Sequence, residues 1–160
     1  MFKQTVALVL SLAMFTTNMS AGIDSDKAAY RGGTLPIKIG TEAKVDLTYP
    51  ASLVFQVKNS PVVIPYEKVQ SIEYGQKAGR RIGAAVGWTI VAGPLGLLAL
   101  ASKKRKHMVS VMWAGANSKS EAAVFEFGKD AIRPALLVLE TRTGKQIEYE
   151  SEEAKANIGK

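Results

Sequence analysis

From Ile82 to Ser102 the chain carries no charged residue and is largely apolar, with Arg80 and Arg81 before it and Lys103, Lys104, Arg105, Lys106 and His107 after it. Apolar runs of this length are the usual mark of a membrane-embedded segment. The sequence on both sides nevertheless alternates with the period of β-strands, so the run interrupts a folded domain. Strands of one sheet cannot lie on opposite sides of a bilayer. Both ends of the run must therefore emerge on the same face, and the basic residues at both ends agree with that.

Charge follows the same division. The 160-residue chain has a formal net charge of +7, and between Lys77 and His107 the charged residues are Lys77, Arg80, Arg81, Lys103, Lys104, Arg105 and Lys106, with no Asp or Glu. Elsewhere acids and bases balance. A basic excess confined to the shoulders of an apolar segment suits the anionic head groups of a bilayer better than an extended nucleic-acid groove, and no nucleic-acid partner is expected. The absence of cysteine removes disulfides, thiolate catalysis and cysteine-ligated zinc.

Lys3, the apolar stretch Thr5 to Phe15, and the small polar residues Thr16 to Gly22 have the layout of a secretory signal peptide. The expected organisation is a signal peptide over 1–22, a flexible lead-in over 23–33, a β-domain over 34–147 with an apolar insertion at 76–107, and an acidic tail over 148–160. Within the domain, Leu35, Ile37 and Ile39 alternate, as do Val45 and Leu47, and then Leu53, Phe55 and Val57. Val62 to Ile64 returns as a hairpin partner, Pro65 to Lys68 breaks the pattern, and Val69, Ile72 and Tyr74 run to Gly75. Met108 to Trp113 and Ala123 to Phe127 read as an antiparallel pair. Ala131, Ile132, Ala135, Leu136 and Leu139 then fall at helical spacing, with Asp130 as N-cap and Gly144 as terminator.

This order of strands closed by one helix, together with Leu53-x-Phe55, Ile64-Pro65-Tyr66, Val69 and Ile72-Glu73, resembles the pleckstrin-homology-like superfamily, in particular its GRAM-type and bacterial branches. The resemblance covers Thr34 to Lys145. It implies an α+β, mainly β fold, a bent antiparallel sandwich or partly open barrel with one C-terminal helix, here with an inserted apolar helical hairpin. It also implies a binding platform rather than an enzyme. The first hairpin loop, Gly40-Thr41-Glu42-Ala43-Lys44, departs from the basic cluster of phosphoinositide-binding members.

Within the insertion, Gly79, Gly83 and Gly87 recur every four residues, and Gly93-Pro94 interrupts the run near its centre. Glycines at that spacing line one helical face and allow a second helix to approach, as in a glycine zipper. Proline removes a backbone donor, so two short helices are expected rather than one rod. Three arrangements satisfy these features: a re-entrant hairpin in the bilayer, a hairpin covering a face of the β-domain or pairing with a second copy, and a single span. Arg80, Arg81, Trp88, Lys103, Lys104, Arg105 and Lys106 are the candidate membrane contacts; Gly79, Gly83, Gly87, Gly93 and Pro94 are the candidate helix-pairing positions.

Catalytic chemistry finds little support. His107 is the single histidine, its proton affinity is expected to be lowered by its basic neighbours, and no second imidazole or thiolate stands by to form a metal site. Thr143-Gly144-Lys145 fails the Walker pattern because Gln146 follows it. No cofactor is implied. The reading is an exported, non-enzymatic, membrane-associated binding or scaffolding module of the cell envelope, or else an exported assembly protein whose glycine-rich hairpin is an oligomer interface. Protein recovered from its native host is expected to begin near Gly22 or Ile23; an intact mass starting at Met1 in the envelope fraction would remove the signal-peptide reading.

Overall fold

The computed structural model describes residues 27–57, 60–76, 78–79 and 106–158. These form strands β1 (Lys27–Gly33), β2 (Glu42–Asp46), β3 (Ser52–Gln56), β4 (Val62–Pro65), β5 (Val69–Tyr74), β6 (His107–Ala114), β7 (Ser120–Phe127) and β8 (Ile147–Tyr149), with helices α1 (Lys129–Thr143) and α2 (Glu152–Ile158). All eight strands belong to one sheet, in the order β4-β3-β2-β1-β7-β6-β5-β8. Every pairing is antiparallel except that of β5 with β8.

That order forces curvature. β4 and β5 are joined only by the 3-10 turn Tyr66–Lys68, yet six strand spacings separate them in the sheet. A flat sheet would put them about 29 Å apart, at roughly 4.8 Å per spacing. The link can reach only about 14 Å at full extension. The sheet must curl until its two halves face each other. The rings of Phe55 on β3 and Phe125 on β7, three strands apart in the order, accordingly meet at 4.8 Å between centroids.

The concave side holds the core. Leu53, Phe55, Ile72, Val109, Val111 and Phe125 are at most 2% exposed. Ile132, Ala135, Leu136 and Leu139 of α1 join them, which fixes the helix on this side. Along β5 the core positions Val69 and Ile72 are three apart because a bulge lies between Val69 and Ser71, which restores the inward direction. Gly128 precedes α1 in extended conformation and Asp130 lies within its first turn, so the expected Asp130 cap is not formed. Gly144 ends the helix in the left-handed conformation, φ +65°, with its N–H donated to the Glu140 carbonyl.

The expected fold class needs correction. The chain is mainly β, but in place of an antiparallel sandwich with one C-terminal helix there is a single mixed eight-stranded sheet with a parallel terminal pair and a second helix after it. The physical reason lies in the tail: Ile147 and Tyr149 alternate with Glu148, and the apolar pair seals the edge of β5 against water. No apolar helical hairpin is present among the described residues; residues 80–105, where it was expected, lie outside them. The expected signal peptide also lies outside them. Two local readings change as well. Lys27–Gly33, within the presumed lead-in, is a central strand, paired with β2 on one side and β7 on the other. Leu35, Ile37 and Ile39 form no strand but a bend, held by the Ile37 N–H on the Leu35 carbonyl at 2.8 Å and the Gly40 N–H on the Tyr30 carbonyl at 2.7 Å.

Two glycines separate strain from space. Gly144 has φ +65° with open space where a Cβ would stand, whereas Gly33, φ +138°, has no room because a Cβ there would overlap the backbone of Ala122 and Ala123. Gly144→Ala is expected to cost about 1 kcal/mol through left-handed strain alone. Gly33→Ala adds to its strain a clash of order 1–3 kcal/mol in the middle of the sheet. Urea denaturation of the two variants should rank Gly33→Ala clearly lower; equal midpoints would contradict the β1–β7 packing.

Candidate functional site

The insertion leaves β5 and re-enters at β6, and these strands are antiparallel neighbours. The Gly75 N–H donates to the Met108 carbonyl at 3.1 Å, and Gln76 Nε2 donates to the Lys106 carbonyl at 2.8 Å. Both roots of the apolar run therefore stand side by side at one corner of the sheet. On the outgoing side the chain turns at once, with the Ala78 N–H on the Gly75 carbonyl at 3.3 Å. The Gly79 N–H then donates to Glu73 Oε2 at 2.9 Å. Glu73 is only 6% exposed, so this bond satisfies a carboxylate that burial would otherwise penalise.

The two faces of this corner differ in chemistry. On the concave side, Tyr74 and His107 are joined by a 2.7 Å hydrogen bond between the phenol oxygen and Nδ1. Their rings stack at 6.2 Å, and the ring of Tyr149 meets Tyr74 edge-on at 6.0 Å. Lys155 Nζ lies 5.9 Å from the centre of the Tyr149 ring, which ties α2 to the same cluster. On the convex side, Glu126 of β7 receives both Arg31 Nε at 2.6 Å and Lys106 Nζ at 3.2 Å. One carboxylate thus links β1, β7 and the returning root of the insertion.

Burial pushes the His107 imidazole below its ordinary value of 6.5; Lys129 adds to this and Glu126 opposes it. Burial raises the phenols of Tyr74 and Tyr149, and the neighbouring tyrosine and Glu140, respectively, act in the same direction. At neutral pH the corner thus contains a neutral imidazole against a neutral phenol. These groups hold the root in place and offer no activated nucleophile. Among the described residues no three His, Cys, Asp or Glu side chains are placed to hold a metal ion, and no helix is long and apolar enough to cross a membrane. A shallow groove of about 280 Å³ lies between β2 and α1, lined by Val45, Leu47, Phe127, Ala131, Pro134 and Ala135, with Asp130 as its single charge.

Of the expected site residues, two lie at this corner. Lys106 pairs with Glu126 at 3.2 Å. Gly79 sits in a turn with φ +91°, and the other expected helix-pairing positions lie outside the described residues. Arg80, Arg81, Gly83, Gly87, Trp88, Gly93, Pro94, Lys103, Lys104 and Arg105 lie outside the described residues. Glu73 and Glu126 were missed because each alternates with apolar neighbours, as a solvent-facing strand residue does. The available signal was that each is out of phase with the apolar residues of its strand, Glu73 shortly before the purely basic insertion and Glu126 one strand beyond it. No family model matches the chain, and no curated protein matches it. The likeness to the pleckstrin-homology-like superfamily rests on the residues quoted for it.

The depressed imidazole has a consequence for stability. Well above pH 6.5 His107 is neutral in both folded and unfolded chains and its contribution is complete. As the pH falls below that value the unfolded chain takes up the proton first, and stability declines until the folded-state pKa is passed. Between about pH 7.5 and pH 5 the urea midpoint should fall for the wild type and fall less for His107→Phe, which keeps a ring beside Tyr74 but has no titration. Identical slopes would show that His107 is not held neutral by the fold.

Proposed function

We propose that the chain is a non-enzymatic, membrane-associated binding or scaffolding module of the cell envelope, in which the β-domain carries an apolar run to an anionic membrane surface. The observation that carries this reading is the side-by-side position of the two roots, fixed by the Gly75–Met108 and Gln76–Lys106 hydrogen bonds. A run that leaves and returns at one corner has the connectivity of a monotopic attachment. Its flanks supply Arg80, Arg81, Lys103, Lys104 and Arg105 with no acidic residue among them. The leader-like N-terminus supports export.

Electrostatics supplies the test. Each basic residue near an anionic leaflet contributes on the order of 1 kcal/mol, and salt screens the attraction. Replacing Arg80, Arg81, Lys103, Lys104 and Arg105 by glutamine, while leaving Lys106 to its partner Glu126, should weaken flotation with anionic vesicles at low salt by about a hundredfold or more. Binding to neutral vesicles should change little. Undiminished binding of the glutamine variant to anionic vesicles would overturn the reading, and lipid-indifferent, monodisperse oligomers of the wild type would favour an assembly role in its place.

A further inference from the structure

The convex face of the sheet is buried where nothing in the concave core can bury it. Ala29, Ser110 and Ala122 are fully buried and Val124 is 3% exposed, yet none of them belongs to the cluster built with α1. Their direction explains why. On β6, Val109 and Val111 point inward, so Ser110 points outward; on β7, Ala123 and Phe125 point inward, so Ala122 and Val124 point outward. A sheet face left to water keeps its central valine and serine open on one side. Here even the Ser110 hydroxyl is buried, without a hydrogen-bond partner among the described residues.

Both ends of the segment 80–105 are fastened to this same face. Gly79, the last described residue before it, donates to the Glu73 carboxylate. Lys106, the first after it, pairs with the Glu126 carboxylate. Ser110 lies between these two anchors, opposite Glu73 on one neighbouring strand and opposite Val124 on the other. The anchors belong to β5 and β7, two strand spacings or about 10 Å apart, a gap that residues 80–105 exceed many times over in contour length. The chemistry is complementary as well. Small and apolar side chains bordered by two carboxylates suit an uncharged, glycine-rich run bordered in sequence by cations.

We propose that, without lipid, the convex face of β5, β6 and β7 is the docking surface of the chain's own segment 80–105. The surface is centred on Ser110 and Val124, with Glu73 and Glu126 as its fixed ends. This concerns the lipid-free chain and does not rest on membrane attachment, so the flotation result and this one can fail separately.

The chain has no cysteine, so Val124→Cys introduces a single reporter thiol. In lipid-free buffer its reaction with a polar maleimide should be slow in the otherwise intact chain. It should be about tenfold faster or more in two further variants, one with Leu95, Leu97 and Leu98 replaced by serine and one with residues 81–102 replaced by a short polar linker. Equal rates in all three chains overturn the proposal. If they are fast the face is open, and if they are slow another cover, residues 1–26 or a second copy, occupies it. Should the two disrupted chains fail to unfold cooperatively, an intact-length series decides: Val124→Cys is paired with single cysteines at positions 82 to 100. Oxidation should form an intramolecular disulfide at one or more positions, and its absence throughout the series overturns the assignment.

Discussion

The short link between β4 and β5 governs the molecule. Tyr66–Lys68 cannot bridge an open sheet of this strand order, so the sheet has to curl, and curling divides its surface into a concave side filled by the main core and a convex side that lies outside that core. Once Phe55 meets Phe125 across the curl, the interior can be filled by one helix. The link itself is held from that side. Tyr66 is 3% exposed, the Arg142 guanidinium of α1 lies 5.7 Å from its ring centre, and Arg142 also donates to the Tyr49 carbonyl. Helix position and sheet curvature are thus set by the same few residues.

Curvature also decides where polar groups can be afforded. Tyr30, on the concave side, is pushed up to about 12 by burial, so its phenol stays protonated and donates to the Leu35 carbonyl at 3.4 Å. The convex side carries charge instead. Glu126 is 9% exposed, and a buried carboxylate is tolerated only with partners such as Arg31 and Lys106 around it. That arrangement joins β1 to the root of the insertion, so the first strand, the seventh and the returning chain share one ionic junction. Removing either cation would leave a partly uncompensated charge, which makes the junction a source of register as much as of stability.

Most of the strands could be read from periodicity because their inward residues are large: Leu53 and Phe55, Val109 and Val111, Phe125 and Phe127. β1 escaped because its sequence, Lys-Ala-Ala-Tyr-Arg-Gly-Gly, has the composition of a linker. Small residues are what its position requires, since Ala28 and Ala29 are buried on opposite faces and Gly33 must lie against the Ala122 backbone. The reverse error arose at Leu35 and Ile37, where alternation reflects two side chains packed on the core from a bend with no partner strand. In the tail, the glutamates hid Ile147 and Tyr149, whose spacing was strand-like all along. The corner at the insertion was legible only in part: the basic flanks were evident, but the carboxylates that meet them come from β5 and β7, and only pairing of the strands brings these together.

The convex face and a bilayer interior offer an uncharged run much the same relief from water. Apolar burial yields roughly 25 cal/mol per Å² in either place, so that term largely cancels in the choice between them. What does not cancel is electrostatic. Glu73 and Glu126 hold the ends of one surface by short-range contacts with the Gly79 N–H and with Lys106, whereas an anionic leaflet presents a diffuse field that reaches about one Debye length into solution. A close carboxylate pair inside a partly desolvated junction is screened by salt far less than attraction to a lipid surface. On the proposals made above, rising ionic strength therefore favours the chain's own sheet, while more anionic lipid favours the membrane. The balance is set by the same basic shoulders that first marked the sequence.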